Sequence, residues 1–182
     1  MKYIILLRGV NISGKNKISM TELKKEVEGI GYNGVFTYLN SGNLIVSSDK
    51  ERIEVFNEIK NLLKDKFNLD VPIVIITIDE LEIMLSKKPD WWGTDDKEIY
   101  DNIIFMTEET DVKEVLNIIG EPTENIDKIL PLDNAIFWSF DLKNYRKSSW
   151  WVKTASTNIK DKITIRTGNT MKKIVELCKK YK

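Results

Sequence analysis

The sequence predicts an α+β protein made of two tandem ferredoxin-like (βαββαβ) units with antiparallel sheets. Three observations predict this fold class. Short apolar runs alternate with segments of helical periodicity. Each half of the chain contains two strands joined by a turn, which gives antiparallel pairing. The order of elements in residues 1–78 also starts again after residue 97. We therefore expect a first unit at residues 1–78, a connecting helix and linker at 79–97, and a second unit at 98–182.

The first unit has six predicted elements. They are a strand at Tyr3–Gly9, a helix from Ser19 to Gly31, strands at Val35–Leu39 and Leu44–Ser47, a helix with Ile53, Phe56, Ile59, Leu63 and Phe67 at helical spacing, and a strand at Pro72–Ile78. Ser19 and Glu22 have the spacing of a capping box, in which side chains satisfy amides at a helix start. Asn40-Ser41-Gly42-Asn43 supplies the residues with positive φ that a tight hairpin turn needs.

A short helix at Glu80–Ser86 and a polar segment at Lys88–Lys97 are expected to join the units. The second unit then repeats the order with a strand at Ile99–Met106, a helix from Val112 to Gly120, a hairpin of Ile126–Leu130 and Ala135–Phe140, a short helix at Tyr145–Lys153, a strand at Lys162–Thr167 and a closing helix at Met171–Cys178. Helices cover one sheet face in such a unit, so the other face must pack on the second unit, a partner chain or a ligand.

Composition limits the chemistry. The 182-residue chain has no histidine and one cysteine, Cys178. It therefore lacks the commonest general base and zinc ligand, and it cannot form an internal disulfide. We expect no metal and no cofactor. The sequence identifies no catalytic residue, so the question of enzymatic activity stays open. No apolar run reaches the roughly 18 residues of a membrane helix, and no signal-peptide pattern follows Met1. We expect a cytoplasmic protein without membrane association.

Charge is unevenly distributed, although the net charge is zero. Residues 135–182 contain 12 Lys and Arg against 3 Asp and Glu, and residues 1–134 contain 16 against 25. A basic C-terminal part can bind an anionic partner. Alternatively, the acidic and basic parts neutralise each other within the fold or across a dimer. The sequence pI of about 6.4 favours that second interpretation.

The first predicted strand leads into the most distinctive segment, LLRGVNISGKNK. Gly9–Asn16 differs by one residue from a nucleotide-binding P-loop, which has Ser or Thr at the position of Asn16. The next helix is predicted to start only at Ser19, and a P-loop belongs to a parallel sheet, so we do not expect one. Two interpretations stay open. One is a looser anion-binding loop with Arg8 and Lys15 or Lys17 facing a phosphate or carboxylate, and the other is a structural turn.

Three segments resemble a known bacterial family: LLRGVNISGKNKISMTELK, TYLNSGNLIVSS at Thr37–Ser48, and TIRTGNTMKKIVEL at Thr164–Leu177. Together they resemble the family of domain of unknown function 1697. The resemblance implies a cytoplasmic protein of two ferredoxin-like units and no known reaction. The third segment departs from the R-N-x-N-T run usual in the family, since it reads Arg166-Thr167-Gly168-Asn169-Thr170. That difference puts in doubt any ligand contact made by the missing asparagine.

Each of these segments places polar residues at the end of a strand, which suits a pocket between the two units. We expect one site for a small anionic ligand, such as a nucleotide or another phosphorylated molecule. The expected ligand-binding residues are Arg8, Asn11, Ser13, Lys15, Lys17, Asn43, Arg166, Asn169 and Thr170.

Other functions stay open. Nucleic-acid binding is a less favoured alternative, with Tyr38, Phe137 and Trp138 as candidate aromatic contacts on an open sheet face. An enzyme acting on a phosphorylated substrate, and a non-catalytic dimerisation or scaffold protein, are the others. The chain is expected to be a monomer or a homodimer. In the adjacent pairs Trp91-Trp92 and Trp150-Trp151, one ring of each would point outward in an extended segment, although core tryptophans are commoner.

Overall fold

The computed structural model describes residues 1–107, 109–156 and 158–180, without the side chains of residues 156 and 158. The chain divides into two compact units, Met1–Ile83 with Leu177–Lys182 and Met84–Glu176. Each unit holds one four-stranded antiparallel sheet together with helices, so the predicted α+β fold class is confirmed. Within the described residues, no helix is both long enough and apolar enough to span a bilayer.

The first unit contains all six elements that the sequence predicts. They are β1 (Lys2–Leu7), α1 (Met20–Gly29), β2 (Asn33–Tyr38), β3 (Asn43–Ser47), α2 (Arg52–Phe67) and β4 (Ile73–Thr77), and α3 (Ile78–Ser86) follows them. The sheet order is β2-β3-β1-β4, and every neighbouring pair is antiparallel. In the register, Ile4 of β1 lies between Ile45 of β3 and Ile76 of β4. β1 is therefore a central strand, and the loop that follows it starts from the middle of the sheet.

Ser19 caps α1, which is one half of the capping box predicted with Glu22; the return bond from the Ser19 amide to the Glu22 side chain is absent among the described residues. Its Oγ accepts a hydrogen bond from the Glu22 amide at 3.2 Å. Met20, Leu23 and Val27 then form the buried face of the helix, because these positions recur on one side of a 3.6-residue turn. The cap fixes where the first turn of α1 begins, and that turn forms one wall of the site described below.

α2 buries most of the stripe that the sequence predicts. Ile59 and Leu63 are buried, and Phe56 and Phe67 are partly buried against the core. Val55 and Leu62 add to the buried face, whereas Ile53, the expected first residue of the stripe, is 56% exposed. The helix starts at Arg52, so Ile53 belongs to its first turn and lies on the solvent side.

The turn between β2 and β3 packs directly against the end of β1. The Leu7 amide donates to the Gly42 carbonyl at 2.8 Å. Gly42 has a φ of +79°, and a Cβ there would lie 2.6 Å from Val10 Cγ2 and 2.8 Å from Leu7 Cβ. Only glycine satisfies both the backbone conformation and the approach. This contact brings the hairpin turn beside the loop after β1, a juxtaposition that the sequence left open.

The second unit repeats the order of strands. Its elements are β5 (Ile99–Met106), α4 (Val112–Ile119), β6 (Asp127–Pro131), β7 (Ala135–Asp141), a 3₁₀ helix (Leu142–Lys147), α5 (Ser149–Ser156), a 3₁₀ turn (Asn158–Asp161), β8 (Ile163–Thr167) and α6 (Gly168–Lys180). The sheet order is β6-β7-β5-β8, again antiparallel at every pairing. The short helix expected at Tyr145–Lys153 is thus a 3₁₀ helix followed by α5.

The segment expected to be a polar linker contains a core residue. Trp92 is fully buried, its Nε1 donates to the Asn102 carbonyl at 2.8 Å, and its ring meets Phe137 edge-on at 4.9 Å. Gly168 lies against the same ring, since a Cβ there would be 2.9 Å from Trp92 Cζ2. Trp92 therefore ties the segment before β5 to the second unit.

Asp127 holds the 3₁₀ helix and α5 against the sheet of the second unit. Its Oδ1 accepts from Ser148 Oγ at 2.6 Å and from Trp138 Nε1 at 3.0 Å, and its Oδ2 accepts from the Thr123 amide at 3.0 Å. Ser148 in turn caps α5, because its Oγ accepts from the Trp151 amide at 2.8 Å. One buried carboxylate thus fixes three segments of this unit.

The central strands of each sheet have buried residues on both faces. On β5 and β7, Ile104 and Trp138 pack in the helix-side core, and their alternating neighbours Ile103 and Phe137 are also fully buried. Because Phe137 and Trp138 are covered, they do not form the open aromatic sheet surface by which nucleic-acid readers of this kind stack bases.

We expect Gly42→Ala to lower the free energy of unfolding by about 2–4 kcal/mol, from left-handed strain plus overpacking against Leu7 and Val10. Chemical denaturation followed by circular dichroism measures the loss. Gly14→Ala is the matched control, because Gly14 has a φ of +78° but its nearest neighbour, Lys17 Cε, is 3.9 Å away. It should lose only about 1–2 kcal/mol. Equal losses would contradict the role of the close contact.

We expect Asp127→Ala to lower the free energy of unfolding by about 3 kcal/mol or more, because it leaves buried donors without an acceptor. Denaturation followed by tryptophan fluorescence tests this. Asp133→Ala, in the exposed turn between β6 and β7, should stay within about 0.5 kcal/mol of the native protein. A similar small change at Asp127 would show that the network contributes little.

Candidate functional site

A cleft of about 620 Å³ lies at the start of α1 in the first unit. Its walls come from the loop after β1, the first turn of α1 and the turn between β2 and β3. They consist of Asn11, Gly14, Lys17, Ile18, Ser19, Met20, Thr21 and Asn40. The volume is within the range of about 300–1,000 Å³ typical of small-molecule sites. Of the residues expected from the sequence, Asn11 and Lys17 meet in this wall.

The loop after β1 is held in an unusual backbone conformation. Asn11, Ser13 and Asn16 have φ angles of +55°, +49° and +46°, which asparagine tolerates better than most residues. The loop folds on itself as a short turn, with the Lys15 amide donating to the Ile12 carbonyl at 2.9 Å. The Asn11 amide also donates to the Asn16 carbonyl at 3.1 Å. These bonds give the loop a defined shape.

Asn11 connects this loop to both other walls of the cleft. Its Nδ2 donates to the Ile18 carbonyl and to the Asn40 carbonyl, each at 2.9 Å, and its Oδ1 accepts from the Ile18 amide at 2.9 Å. Both ends of the carboxamide are therefore bonded to the backbone. Asn11, expected as a direct ligand contact, lines the cleft and also determines its shape.

The charge of the cleft is positive. Lys15 and Lys17 are exposed, and their side chains make no hydrogen bond or ion pair with residues 1–107, 109–156 or 158–180. Met20 and Thr21 have backbone amides with no acceptor in the same described part of the chain. The N-terminus of a helix carries a partial positive charge from such amides. None of the wall residues is acidic, so the cleft suits an anion.

The other expected residues of the first unit lie nearby in different roles. Arg8 follows β1 directly, is partly exposed, and donates its amide to the Pro72 carbonyl at 2.9 Å. Ser13 is at the exposed tip of the loop. Asn43 is fully buried, and its Nδ2 donates to the Tyr38 carbonyl at 2.8 Å. That bond closes the turn between β2 and β3.

The expected residues of the second unit lie around the end of β8 and the start of α6. Arg166 is 7% exposed, and its Nη1 donates to Thr164 Oγ1 at 2.8 Å and to the Ile165 carbonyl at 3.0 Å. The Thr170 amide donates to Thr167 Oγ1 at 3.2 Å, which satisfies an amide in the first turn of α6.

Asn169 lines a separate cleft of about 450 Å³ in the second unit. Asp95, Asp96 and Asp101 stand in the same wall with one lysine, Lys97. This cleft therefore carries more negative than positive charge and does not suit an anion. Within the described residues, no group of acidic or cysteine side chains has the arrangement of a metal site.

A cluster of titratable groups in the first unit has a structural role. The Tyr32 hydroxyl donates to Glu58 Oε2 at 2.8 Å, and Lys50 Nζ donates to both Glu58 oxygens at 2.6 and 2.7 Å. Burial raises the pKa of Tyr32, and the Lys50 hydrogen bond lowers the pKa of Glu58. The three groups bond one another, so we assign the cluster to stabilising the fold.

Sequence reasoning missed Ser19, Thr21 and Asn40 as wall residues. The signal for the first two was available, because the capping box marks the N-terminus of a helix and therefore a set of amides that face outward. Asn40 contributes through its place in the hairpin turn, whose packing against β1 depends on a tertiary contact.

Comparisons with known proteins agree with this fold. No curated protein matches the chain. The solved structure of conserved bacterial protein SP0830 from Streptococcus pneumoniae is similar to it, with a TM-score of 0.86 and 26% sequence identity over 97% of each chain. A family model described as "Protein of unknown function (DUF1697)" matches residues 1–137. The resemblance that the sequence motifs indicate is thus confirmed, and the chain belongs to the DUF1697 family.

Proposed function

We propose that the protein binds a small anionic ligand, phosphorylated or nucleotide-like, in the cleft at the start of α1. One observation carries the proposal. The wall combines a lysine with two helix amides that have no acceptor in the described residues, and it contains no carboxylate. Groups of this kind are the common components of phosphate sites at helix N-termini.

The binding mode follows from the geometry of the wall. Ligand oxygens accept hydrogen bonds from the Met20 and Thr21 amides and from the Thr21 hydroxyl, where the helix dipole favours negative charge. Lys17 supplies a charge-assisted hydrogen bond from the loop side, and Lys15, on the same loop, adds a second cation. Asn11 holds the loop in place, so little order is lost when the ligand binds.

The remaining expected residues belong to this proposal as predictions. Arg8 and Ser13 follow β1 on the same segment as the lysines, which supports a secondary role for them. The role of Asn43, Arg166, Asn169 and Thr170 in the same ligand site stays a prediction. The ferredoxin-like topology of each unit also stays a prediction, which the strand orders β2-β3-β1-β4 and β6-β7-β5-β8 support. A cytoplasmic location is likewise a prediction.

A small ligand is better supported than a nucleic acid bound on a sheet. Phe137 and Trp138, two of the three aromatic residues considered for base stacking, are 0% and 1% exposed. No reaction is assigned, since the groups that line the cleft bind and orient an anion but include no general base beyond lysine.

We expect adenosine monophosphate and inorganic phosphate to bind the purified protein, and uncharged adenosine to bind much more weakly. Isothermal titration calorimetry measures the affinities. Lys17→Ala should weaken phosphate binding by about tenfold or more, because a charge-assisted hydrogen bond contributes about 1.5–3 kcal/mol. Lys25→Ala is the matched control, since Lys25 is an exposed lysine of α1 that does not line the cleft.

Two results would count against the proposal. One is the absence of heat with any phosphorylated compound while circular dichroism shows the native fold. The other is an equal loss of affinity in Lys17→Ala and Lys25→Ala, which would indicate general attraction of anions to a basic surface.

We also expect Asn11→Ala to lower the free energy of unfolding by about 2–3 kcal/mol more than Asn16→Ala does. Both residues have left-handed φ angles, so both variants carry similar backbone strain. Asn11 makes three side-chain bonds to the backbone, whereas Asn16 makes one, from its Nδ2 to the Gly9 carbonyl at 3.1 Å. Chemical denaturation of the two variants gives the difference. Equal losses of unfolding free energy would show that the bonds of Asn11 to Ile18 and Asn40 do not stabilise the protein.

A further inference from the structure

The second unit carries a row of aromatic rings at its surface. Tyr100 and Phe140 have ring centroids 5.3 Å apart, Phe140 and Trp151 lie 5.4 Å apart, and Trp151 and Tyr145 lie 5.3 Å apart. Phe140 is buried, but Tyr100 and Trp151 are each 39% exposed, and Leu142, which lines a cleft with Tyr100, is 45% exposed. Exposed apolar groups that adjoin one another mark interaction surfaces, whereas apolar residues scattered singly over a surface are normal.

The two ends of this aromatic row carry opposite charge. At the Tyr100 end, Tyr100 and Leu142 share a cleft with Asp95, Asp96 and Asp101, which outnumber Lys97. Asp95 makes no hydrogen bond or ion pair with any described residue. At the Tyr145 end, the Arg146 guanidinium lies 5.6 Å from the Tyr145 ring centroid and its Nε donates to the Tyr145 hydroxyl at 3.0 Å.

The basic end extends beyond Arg146. Lys147 is exposed, and residues 142–153 contain four basic residues and no acidic one. Two of these four cations already have partners within the chain, because Lys143 forms an ion pair with Glu98 and Lys153 donates to the Ile119 carbonyl. Arg146 and Lys147 are therefore the cations that the basic end offers.

The aromatic row also stands on a rigid support. Asp127 fixes Ser148, Ser148 caps α5, and Trp150 on the same helix is fully buried with its Nε1 donating to the Gly120 carbonyl at 3.1 Å. Trp151 is thus held outward while its neighbour is held inward. A preorganised surface loses little side-chain entropy when a partner covers it.

We propose that the aromatic row is the contact surface of a homodimer, in which the Asp95–Asp96 end of one copy faces the Arg146–Lys147 end of the other. A single-stranded nucleic acid would use the rings and the cations but would be repelled at the acidic end. An acidic peptide would meet the same repulsion. A second copy of this chain supplies both signs of charge and an apolar surface at once.

Two-fold symmetry gives this pairing its geometry. In an isologous dimer the same patch meets itself, so each residue contact occurs twice. A two-fold axis parallel to the aromatic row would place like ends together, whereas an axis lying in the interface and perpendicular to the row places the acidic end against the basic end. Electrostatic complementarity selects the second arrangement. Aromatic residues and arginine are also enriched at interfaces.

Light scattering coupled to size exclusion tests the proposal on the full chain. The native protein should run at twice the 21.2 kDa protomer mass and dissociate on dilution. Trp151→Ala should weaken association by about tenfold or more, because it removes a central anchor from both copies. Ile53→Ala is the control, since Ile53 is 56% exposed in the first unit and outside the surface. It should leave the association constant unchanged.

A charge-swap experiment then tests the orientation of the two copies. One variant carries Arg146→Glu with Lys147→Glu, and the other carries Asp95→Lys with Asp96→Lys. Each variant alone should associate about tenfold more weakly or worse, because like charges then face each other at both ends. An equimolar mixture should form a heterodimer at least as tightly as the native dimer. This restoration also shows that both variants are folded.

Three results would overturn the proposal. They are a native protein that stays at the protomer mass at every concentration, a dimer that neither charge variant affects, and a mixture that does not restore association. Quenching of tryptophan fluorescence by an oligonucleotide or an acidic peptide, in a native protein at the protomer mass, would assign the surface to that other partner instead. None of these outcomes depends on the anion cleft of the first unit.

Discussion

The site in the first unit depends on one close contact, the packing of Gly42 against Leu7 and Val10. At this point the turn between β2 and β3 meets the end of the central strand β1, and there is no room for a side chain. Because the turn lies so close, the Asn40 carbonyl comes within reach of Asn11. Asn11 in turn bonds Ile18, one residue before the cap of α1. A strand end, a hairpin turn and a helix start are thereby joined into one wall.

In this arrangement, different groups determine the shape of the cleft and its charge. The side chain of Asn11 bonds the backbone and so shapes the cleft, whereas the lysines are exposed and the first amides of α1 have no acceptor in the described residues. In a buried site such cations would need partners. Here the lysines are exposed, so their charges stay hydrated in the absence of a ligand and carry no large desolvation cost. The same separation holds in the second unit, where Asp127 and Ser148 form the support and Arg146 and Lys147 face outward.

Periodicity and turn chemistry predicted the β-strands and α-helices of the described residues, because each depends on local sequence, but they did not predict the 3₁₀ turn at Asn158–Asp161. The individual site residues were harder to predict. A strand-end asparagine has the same sequence signature whether it binds a ligand or bonds the protein backbone, and only the structure shows that Asn11 and Asn43 make backbone bonds. Trp92 shows the same limit, since a tryptophan in a polar segment cannot be assigned to a core without knowing that Phe137 lies beside it. Such residues can be assigned only when their tertiary contacts are known.

Net charge was a poor guide to function in this chain, and the structure explains why. Zero net charge suggested that acidic and basic regions simply cancel, but cancellation over the whole chain says nothing about individual surfaces. The first unit belongs to the acidic part of the sequence, yet the walls of its cleft contain a lysine and no carboxylate. The second unit contains most of the basic C-terminal part, yet Asp95, Asp96 and Asp101 line one of its clefts. Because Coulomb interactions between exposed groups are screened within about 10 Å, a ligand responds to the groups beside it. The local arrangement of charge, rather than its sum, therefore decides what each surface can bind.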